Sequence, residues 1–349
     1  MRVLALTGRT LAATIAIALL ADCAAGQSAR AVPASAQSVD DFATRAGHLE
    51  VVARAGLRLR GRSGLPRLRP DGGGTTVWVT DIAENEVYEC MEDCKPTGSL
   101  DPGSGSWSEP QGIAADAKGN VFVADTLNSR IVELSRTGRT VAILDDSGEF
   151  PVGVAVAVDG TVGVTNIHNT SYGPGDIVFY APGSTSPTSA ASGVLSAYYF
   201  CAFDSEGNFY NDGLDSDDNV HVAILPKGET TDYDTGIAGT EFPGGVEVGK
   251  SRIGKVGVGL NVDDQDCPCI REYGLTGGYP LLNTIPLSGA SDPVSFGFVK
   301  RDRLLWTADA GAQVANEYDY PSGGSSIAVL GSGTFSEPIG AVAVPAGQY

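Results

Sequence analysis

Ser108-Glu109-Pro110-Gln111-Gly112-Ile113-Ala114 returns near the end of the chain as Ser336-Glu337-Pro338-Ile339-Gly340-Ala341-Val342. Between the two stand Pro151-Val152-Gly153-Val154-Ala155, Pro243-Gly244-Gly245-Val246 and Pro293-Val294-Ser295-Phe296, with a degenerate copy at Phe200-Cys201-Ala202-Phe203-Asp204. With Gly112, Gly153, Phe200, Gly245, Ser295 and Gly340 taken as equivalent, the copies lie 41, 47, 45, 50 and 45 residues apart. Self-similarity at that period marks one supersecondary unit that stacks on its neighbours, and the spacing is that of a propeller blade.

A second phrase follows the first after a turn: Gly119-Asn120-Val121-Phe122-Val123-Ala124-Asp125, Gly160-Thr161-Val162-Gly163-Val164-Thr165-Asn166 and Gly207-Asn208-Phe209-Tyr210. Val77-Trp78-Val79-Thr80-Asp81 and Leu305-Trp306-Thr307-Ala308-Asp309 share its ending. A third, Ile131-Val132-Glu133-Leu134, is echoed by Ile177-Val178-Phe179-Tyr180, Ile270-Arg271-Glu272-Tyr273 and Asn316-Glu317-Tyr318, each running into Gly, Pro and Ser. Alternating side chains read as strands, and the punctuation after the third phrase reads as a turn to an outer strand. Gly 46 against Met 2 fits an all-β chain of short strands and tight turns.

The segment from Pro110 to Ile131 reads Pro-x-Gly-Ile-Ala-x-Asp-x-x-Gly-Asn-Val-Phe-Val-Ala-Asp-Thr-x-Asn-x-Arg-Ile and closely resembles the NHL repeat. The resemblance extends with uneven strength over residues 71–349 and implies a six-bladed β-propeller of four-stranded blades. Phrase order indicates how the ring closes. The first unit begins at Thr75 with a second phrase, whereas the chain ends on an orphan first phrase at Pro338 to Val344. The C-terminal strand should therefore supply the inner strand of the N-terminal blade, which leaves no open edge in the ring.

Ahead of the repeats, Arg2 and Arg9 precede an uncharged apolar run from Leu11 to Ala21, too short for a bilayer span and of the length of a secretory h-region. It ends in Leu20-Ala21-Asp22-Cys23, which resembles a bacterial lipobox with Asp22 departing from the pattern; Ala34-Ser35-Ala36 is the rival cleavage site. The expected organisation is a signal peptide over 1–23, an Arg-rich linker over 24–70 and the propeller over 71–349. The expected location is outside the cytoplasm, either as an envelope lipoprotein anchored through Cys23 or as a periplasmic or secreted protein.

Charge is unevenly distributed. Residues 1–70 hold 10 Lys+Arg and 4 Asp+Glu, leaving 13 basic and 38 acidic residues beyond, a net charge near −25. A propeller so acidic lacks the clustered cations that phosphate neutralisation requires, which excludes nucleic acid as a partner. The arginines from Arg45 to Arg69 can face an anionic membrane, the acidic propeller or solvent.

Six cysteines in an exported chain point to disulfides. Cys90 and Cys94 read as a local staple, while Cys267-Pro268-Cys269 either closes a small ring or pairs elsewhere; a zinc site from these four is the alternative. Cys201 falls on an inner strand and reads as a small buried hydrophobe.

The turn after each second strand opens on the face where propellers usually bind ligands. It presents Asp81, Asp125, Asn166, Asp212, Asn261 or Asp263, and Asp309. Such a ring of oxygens suits a hard cation such as calcium. The same residues also cap turns by accepting backbone N–H groups, and a repeat reuses its turn chemistry in every blade. Acidic runs at Asp212–Asn219 and Asn261–Asp266 lie in this region. His168 is placed in a long Gly- and Ser-containing loop between Asn166 and Gly175, open to ligands.

Three functional classes follow. The leading one is a non-catalytic exported propeller that binds an envelope or extracellular protein, peptide or glycan on its channel face. A metal-dependent lactonase or esterase is the enzyme alternative, since gluconolactonase and regucalcin propellers hold a cation with Glu, Asn and Asp. Their Glu-Gly-Pro opening is absent, and Asn211-Asp212-Gly213-Leu214 only partly echoes their Asn-Gly-Leu phrase. A propeller lyase is third; the zinc-dependent kind needs several histidines, and the repeats hold His168 and His221. No Gly-x-Ser-x-Gly elbow or nucleotide-binding glycine loop occurs.

Overall fold

A computed structural model describes residues 75–344 except 92, 99–104, 239, 241, 252–257, 266 and 300–302. The segments expected to be a signal peptide and a linker, with Cys23, lie outside these residues.

The described chain forms six antiparallel blades arranged in a ring. From the axis outward, blade 2 runs Pro110–Ala115, Val121–Asp125, Arg130–Leu134, Thr140–Asp145, and blade 3 runs Glu149–Val156, Val162–Asn169, Ile177–Tyr180, Ser189–Ala191. Blade 4 is Ala197–Phe203, Phe209–Leu214, Val220–Leu225, Tyr233–Asp234; blade 6 is Pro293–Val299, Leu304–Asp309, Val314–Asp319, Ala328–Leu330. Blade 5, Val246–Gly249, Gly259–Asp264, Cys269–Gly274 and Leu281–Ser288, gains a fifth strand, Gly324–Ser325, which pairs parallel with Leu287 and Ser288. Each quoted phrase occupies the strand rank that its order assigned.

Blade 1 is shared between the chain ends. Pro338–Val344 lies innermost and pairs with Thr76–Asp81 from Val344 opposite Thr76 to Pro338 opposite Asp81; Glu86–Cys90 and Cys94–Pro96 follow outward. Ile339, Ala341, Val342, Ala343 and Val344 on this strand are all buried.

The repeated glycine has a steric cause. A Cβ on Gly340 would come 2.7 Å from the Gln111 carbonyl oxygen of the next blade, and one on Gly245 would come 2.8 Å from Ser295 Cα. At Gly112 and Gly153 it would fall onto the carbonyl oxygens of Val152 and Tyr199. Neighbouring inner strands thus touch backbone to backbone at this position, where only glycine fits without displacing one of them. Threonines tie the same approach: Thr80 Oγ1 donates to Gln111 O at 2.5 Å and accepts from Gly340 N at 2.8 Å, while Thr165 Oγ1 donates to Tyr199 O at 2.5 Å.

Bulk goes instead between the faces of adjacent blades. Trp78, fully buried, packs with Val121, Val123 and Val132 between blades 1 and 2, and Trp306 packs with Val79 and Cys90 between blades 6 and 1. Every blade therefore depends on both neighbours for its core.

Removal of Pro338–Val344 should abolish cooperative unfolding rather than fray one end, since it exposes the inner edge and both faces of blade 1. The milder Ile339→Ala should cost about 2–5 kcal/mol. Denaturant melts of both variants check this; a truncated monomer melting with the full-length protein contradicts the shared blade.

Candidate functional site

Carboxylates at the ends of the second strands clamp the loops that feed the inner strands. Asp81 accepts from Ser336 N at 2.7 Å and Glu337 N at 3.1 Å, ahead of Pro338; Asp125 accepts from Ser108 N at 2.8 Å, ahead of Pro110. Asp309 accepts from Ser291 N at 3.0 Å and Asp292 N at 2.9 Å, ahead of Pro293. Asp125 also takes Arg130 Nε at 2.7 Å and Asn128 Nδ2 at 2.9 Å. Asp212 lies within its strand and bridges two segments, taking Phe200 N and Gly244 N at 2.8 Å each. Burial raises all four carboxyls, and the backbone N–H donors work against that rise.

These contacts identify the Asp positions as loop anchors. Asp81, Asp125 and Asp309 bind the Ser-Glu-Pro and Ser-Asp-Pro phrases of their own repeats, whereas Asp212 binds Phe200 and Gly244.

Blade 5 departs from the pattern. Asn261 Nδ2 donates to Gly259 O at 3.1 Å, and Tyr320 Oη donates to Asn261 Oδ1 at 3.2 Å, so this amide is internal to the packing. Asp263 is completely buried, and neither of its oxygens has a hydrogen-bond partner among the described residues. Burial first, then the Asp264 and Asp292 carboxylates, pushes its carboxyl well above the usual range. Asn261 and Asp263 are thus strand residues, not residues of an open turn. Asp264, clamped by Arg271 Nη2 at 2.6 Å, ends the strand.

Blade 3 departs further and holds a cluster of groups that the clamps do not use. Its two inner strands extend to eight residues each, pairing Glu149 with Asn169 and Phe150 with His168. Asn166 Nδ2 donates to Asp176 Oδ1 at 2.8 Å, and Tyr180 Oη donates to Asp146 Oδ1 at 3.0 Å. Asp146 Oδ2 and Asn166 Oδ1 are buried with no hydrogen-bond partner among the described residues. Burial, then the Asp176 and Asp146 charges, pushes Glu149 up to about 7; burial is also the main cause that pushes Asp146 up to about 6. Carboxyls that titrate near neutrality are the kind enriched at functional sites.

His168 corrects an expectation. It sits on the extended strand, 8 % exposed and bridged to Pro174, rather than in an open mobile loop. The tip beyond it is held by its own bonds: Asn169 Oδ1 accepts from Ser171 N at 3.0 Å and Gly173 N at 2.9 Å, and Thr170 N donates to Gly148 O at 2.7 Å. The chain turns through Tyr172, whose φ is 60°, and leaves this side chain 65 % exposed with its ring 6.0 Å from Phe150.

The axial channel is narrow. Ala114, Ala155, Ala202, Glu247, Gly297 and Val342, one from each inner strand, bound a cavity of about 80 Å³. A roomier cleft of about 440 Å³ lies between blades 3 and 4 over Phe179, Phe203 and Phe209, with Lys227 among its lining residues. His221 stands near neither; its ring nitrogens meet Asp215 Oδ2 at 3.0 Å and Asp234 Oδ2 at 3.1 Å.

Cys90 is bonded to Cys94 and Cys267 to Cys269, while Cys201 is a buried free thiol. Among the described residues, Asp264, Cys267 and Cys269 form one group whose ligand-type atoms lie within 4.8 Å of one another.

No family model matches the chain, and no curated protein matches it in sequence. Solved structures do match. A protein of unknown function from Bacteroides caccae superposes with a TM-score of 0.55 at 14% identity, over 77% of this chain and 98% of that one. A chain of a nidogen/laminin complex gives 0.57 at 13% identity over the same shares. Both likenesses are of fold, a six-bladed propeller.

The cluster on blade 3 has a pH signature. Glu149 and Asp146 have folded values above their ordinary 4.5 and 3.8, so the stability they support is full below those values and lost as pH rises toward about 7 and 6. Glu149→Gln should therefore raise the melting temperature at pH 8 and flatten its fall between pH 5 and about 7. Scanning calorimetry of both proteins across that range is the measurement; parallel curves contradict the coupling.

Proposed function

We propose that this protein is an exported recognition propeller, NHL-like in its repeats, that binds an extracellular or envelope partner through the hairpin raised on blade 3. The observation that carries this reading is the combination at that hairpin. An exposed Tyr172 lies tilted against Phe150, and Asp176 and Asp146 stand close enough to Glu149 to raise its proton affinity. Aromatic faces beside hydrogen-bonding groups are the chemistry of glycan and peptide recognition, and rigid scaffolds place such groups on their connections.

The calcium ring considered for a lactonase finds less support. Four of its positions, Asp81, Asp125, Asp212 and Asp309, spend their oxygens on backbone N–H groups. Asn261 and Asp263 face into packing. A neighbour of the same fold was solved within a nidogen/laminin complex, which is in keeping with a propeller that works by association.

Tyr172→Ala should leave the melting temperature unchanged and weaken partner capture from envelope extract, or binding on glycan and peptide arrays, by about tenfold or more. Equal binding by Tyr172→Ala and by Glu149→Gln would remove the hairpin from the reading.

Export rests on the N-terminal sequence. The mature protein should lack Met1, and its intact mass distinguishes a diacylglycerol-bearing Cys23 from cleavage after Ala36; a protein that keeps Met1 is not processed as proposed.

A further inference from the structure

The Cys267–Cys269 bridge spans one intervening residue, Pro268, and closes a covalent ring of about eleven atoms. So short a loop restrains the unfolded chain little. The turn is already held without it. Asp264 pairs with Cys269 across the hairpin, Cys267 N donates to Asp264 O at 3.0 Å, and Leu287 N donates to Pro268 O at 2.8 Å.

The Cys90–Cys94 bridge differs. It joins directly opposed residues of two adjacent strands, and Cys90 is fully buried against Val79, Tyr88 and Phe335. That bond belongs to the core between blades 6 and 1.

The two sulfurs of the short bridge are unequal. Cys269 is 2 % exposed, whereas Cys267 is half-buried beside an exposed Pro268 in the turn. Cys267 is therefore the more accessible of the two to an incoming thiolate. The Asp264 carboxylate lies within 4.8 Å of both sulfurs and is held by Arg271.

We propose that the Cys267-Pro268-Cys269 turn is a thiol–disulfide exchange centre that takes two electrons from a dithiol. The thiolate of the donor attacks Cys267 Sγ; a new sulfur–sulfur bond forms and the Cys267–Cys269 bond breaks, with Cys269 leaving on the electron pair. The proton lost by the donor thiol ends on Cys269, and Asp264 is the group placed to pass it. The donor's second thiol then attacks the mixed disulfide, releasing an oxidised donor and a reduced Cys267. Two electrons and two protons move to the turn, and a disulfide-bearing partner reverses the sequence. Accessible and weakly constrained bridges are the ones that exchange. The proposal is independent of the recognition role of blade 3.

The test equilibrates the folded full-length protein in glutathione buffers of graded ratio, traps thiols by alkylation and reads each cysteine peptide by mass. Cys267 and Cys269 should become reduced at a [GSH]²/[GSSG] ratio at least about tenfold lower than Cys90 and Cys94, with the circular dichroism unchanged. Cys269→Ser should accumulate a glutathione adduct on Cys267 at least about tenfold faster than Cys267→Ser does on Cys269. Simultaneous reduction of both bridges, or opening of the short bridge only on unfolding, would overturn the proposal in favour of a structural staple. Reduced protein that binds one zinc ion through the pair and resists reoxidation by GSSG would overturn it in favour of a metal site.

Discussion

Six inner strands meet around one axis so closely that their backbones touch, and the rest of the molecule adapts to that approach. Gly112, Gly153, Gly245 and Gly340 leave out the atom that would collide with the next blade. Thr80 and Thr165 turn the same approach into hydrogen bonds. Small residues such as Ala114, Ala155 and Gly297 line what remains of the channel, and the large apolar side chains move outward between blade faces. Loops that enter the inner strands then need firm anchoring, because a displaced proline would shift the glycine behind it. The carboxylates at the ends of the second strands supply this anchoring.

This constraint explains why the fold was legible. Each blade that makes this close approach through glycine repeats proline and glycine at a fixed offset, and blade count and ring closure follow from the order of phrases. Where a blade solves the approach differently, the text fades. Phe200 stands in the glycine place of blade 4 and Ser295 in that of blade 6, so those copies are recognised by spacing more than by residue. Gly324–Ser325 gave no sign of itself, because a two-residue parallel pairing is set by where blade 6 happens to pass blade 5.

The candidate site was legible only in part. The choice between capping and ion binding at Asp81, Asp125 and Asp309 was visible, and the repeated phrases contain the partners of Asp81 and Asp125, though not Ser291 and Asp292, which Asp309 holds. Their pairing depends on a strand ladder that brings together residues 17 or more positions apart, up to 255 for Asp81 and Ser336. Asp146, Glu149 and Asp176 escaped notice for a similar reason: two lie where blade 2 passes into blade 3 and one beyond a hairpin, and nothing in their spacing marks them as a group. His168 misled because glycine and serine were read as freedom, whereas Asn169 uses them to close a compact tip.

The placement of Pro338–Val344 has a consequence for how the protein comes into being. The last strand of the ring in sequence order lies nearest the axis, paired with a strand more than 250 residues earlier, as in the bond from Gly340 to Thr80. The inner place of blade 1 therefore stays empty until Pro338–Val344 has been made and can pair with Thr76–Asp81. Contacts of such sequence separation form slowly. During that interval the missing inner strand leaves a slot that other extended segments fit, so the unfinished ring is more open to unwanted pairing than the closed one.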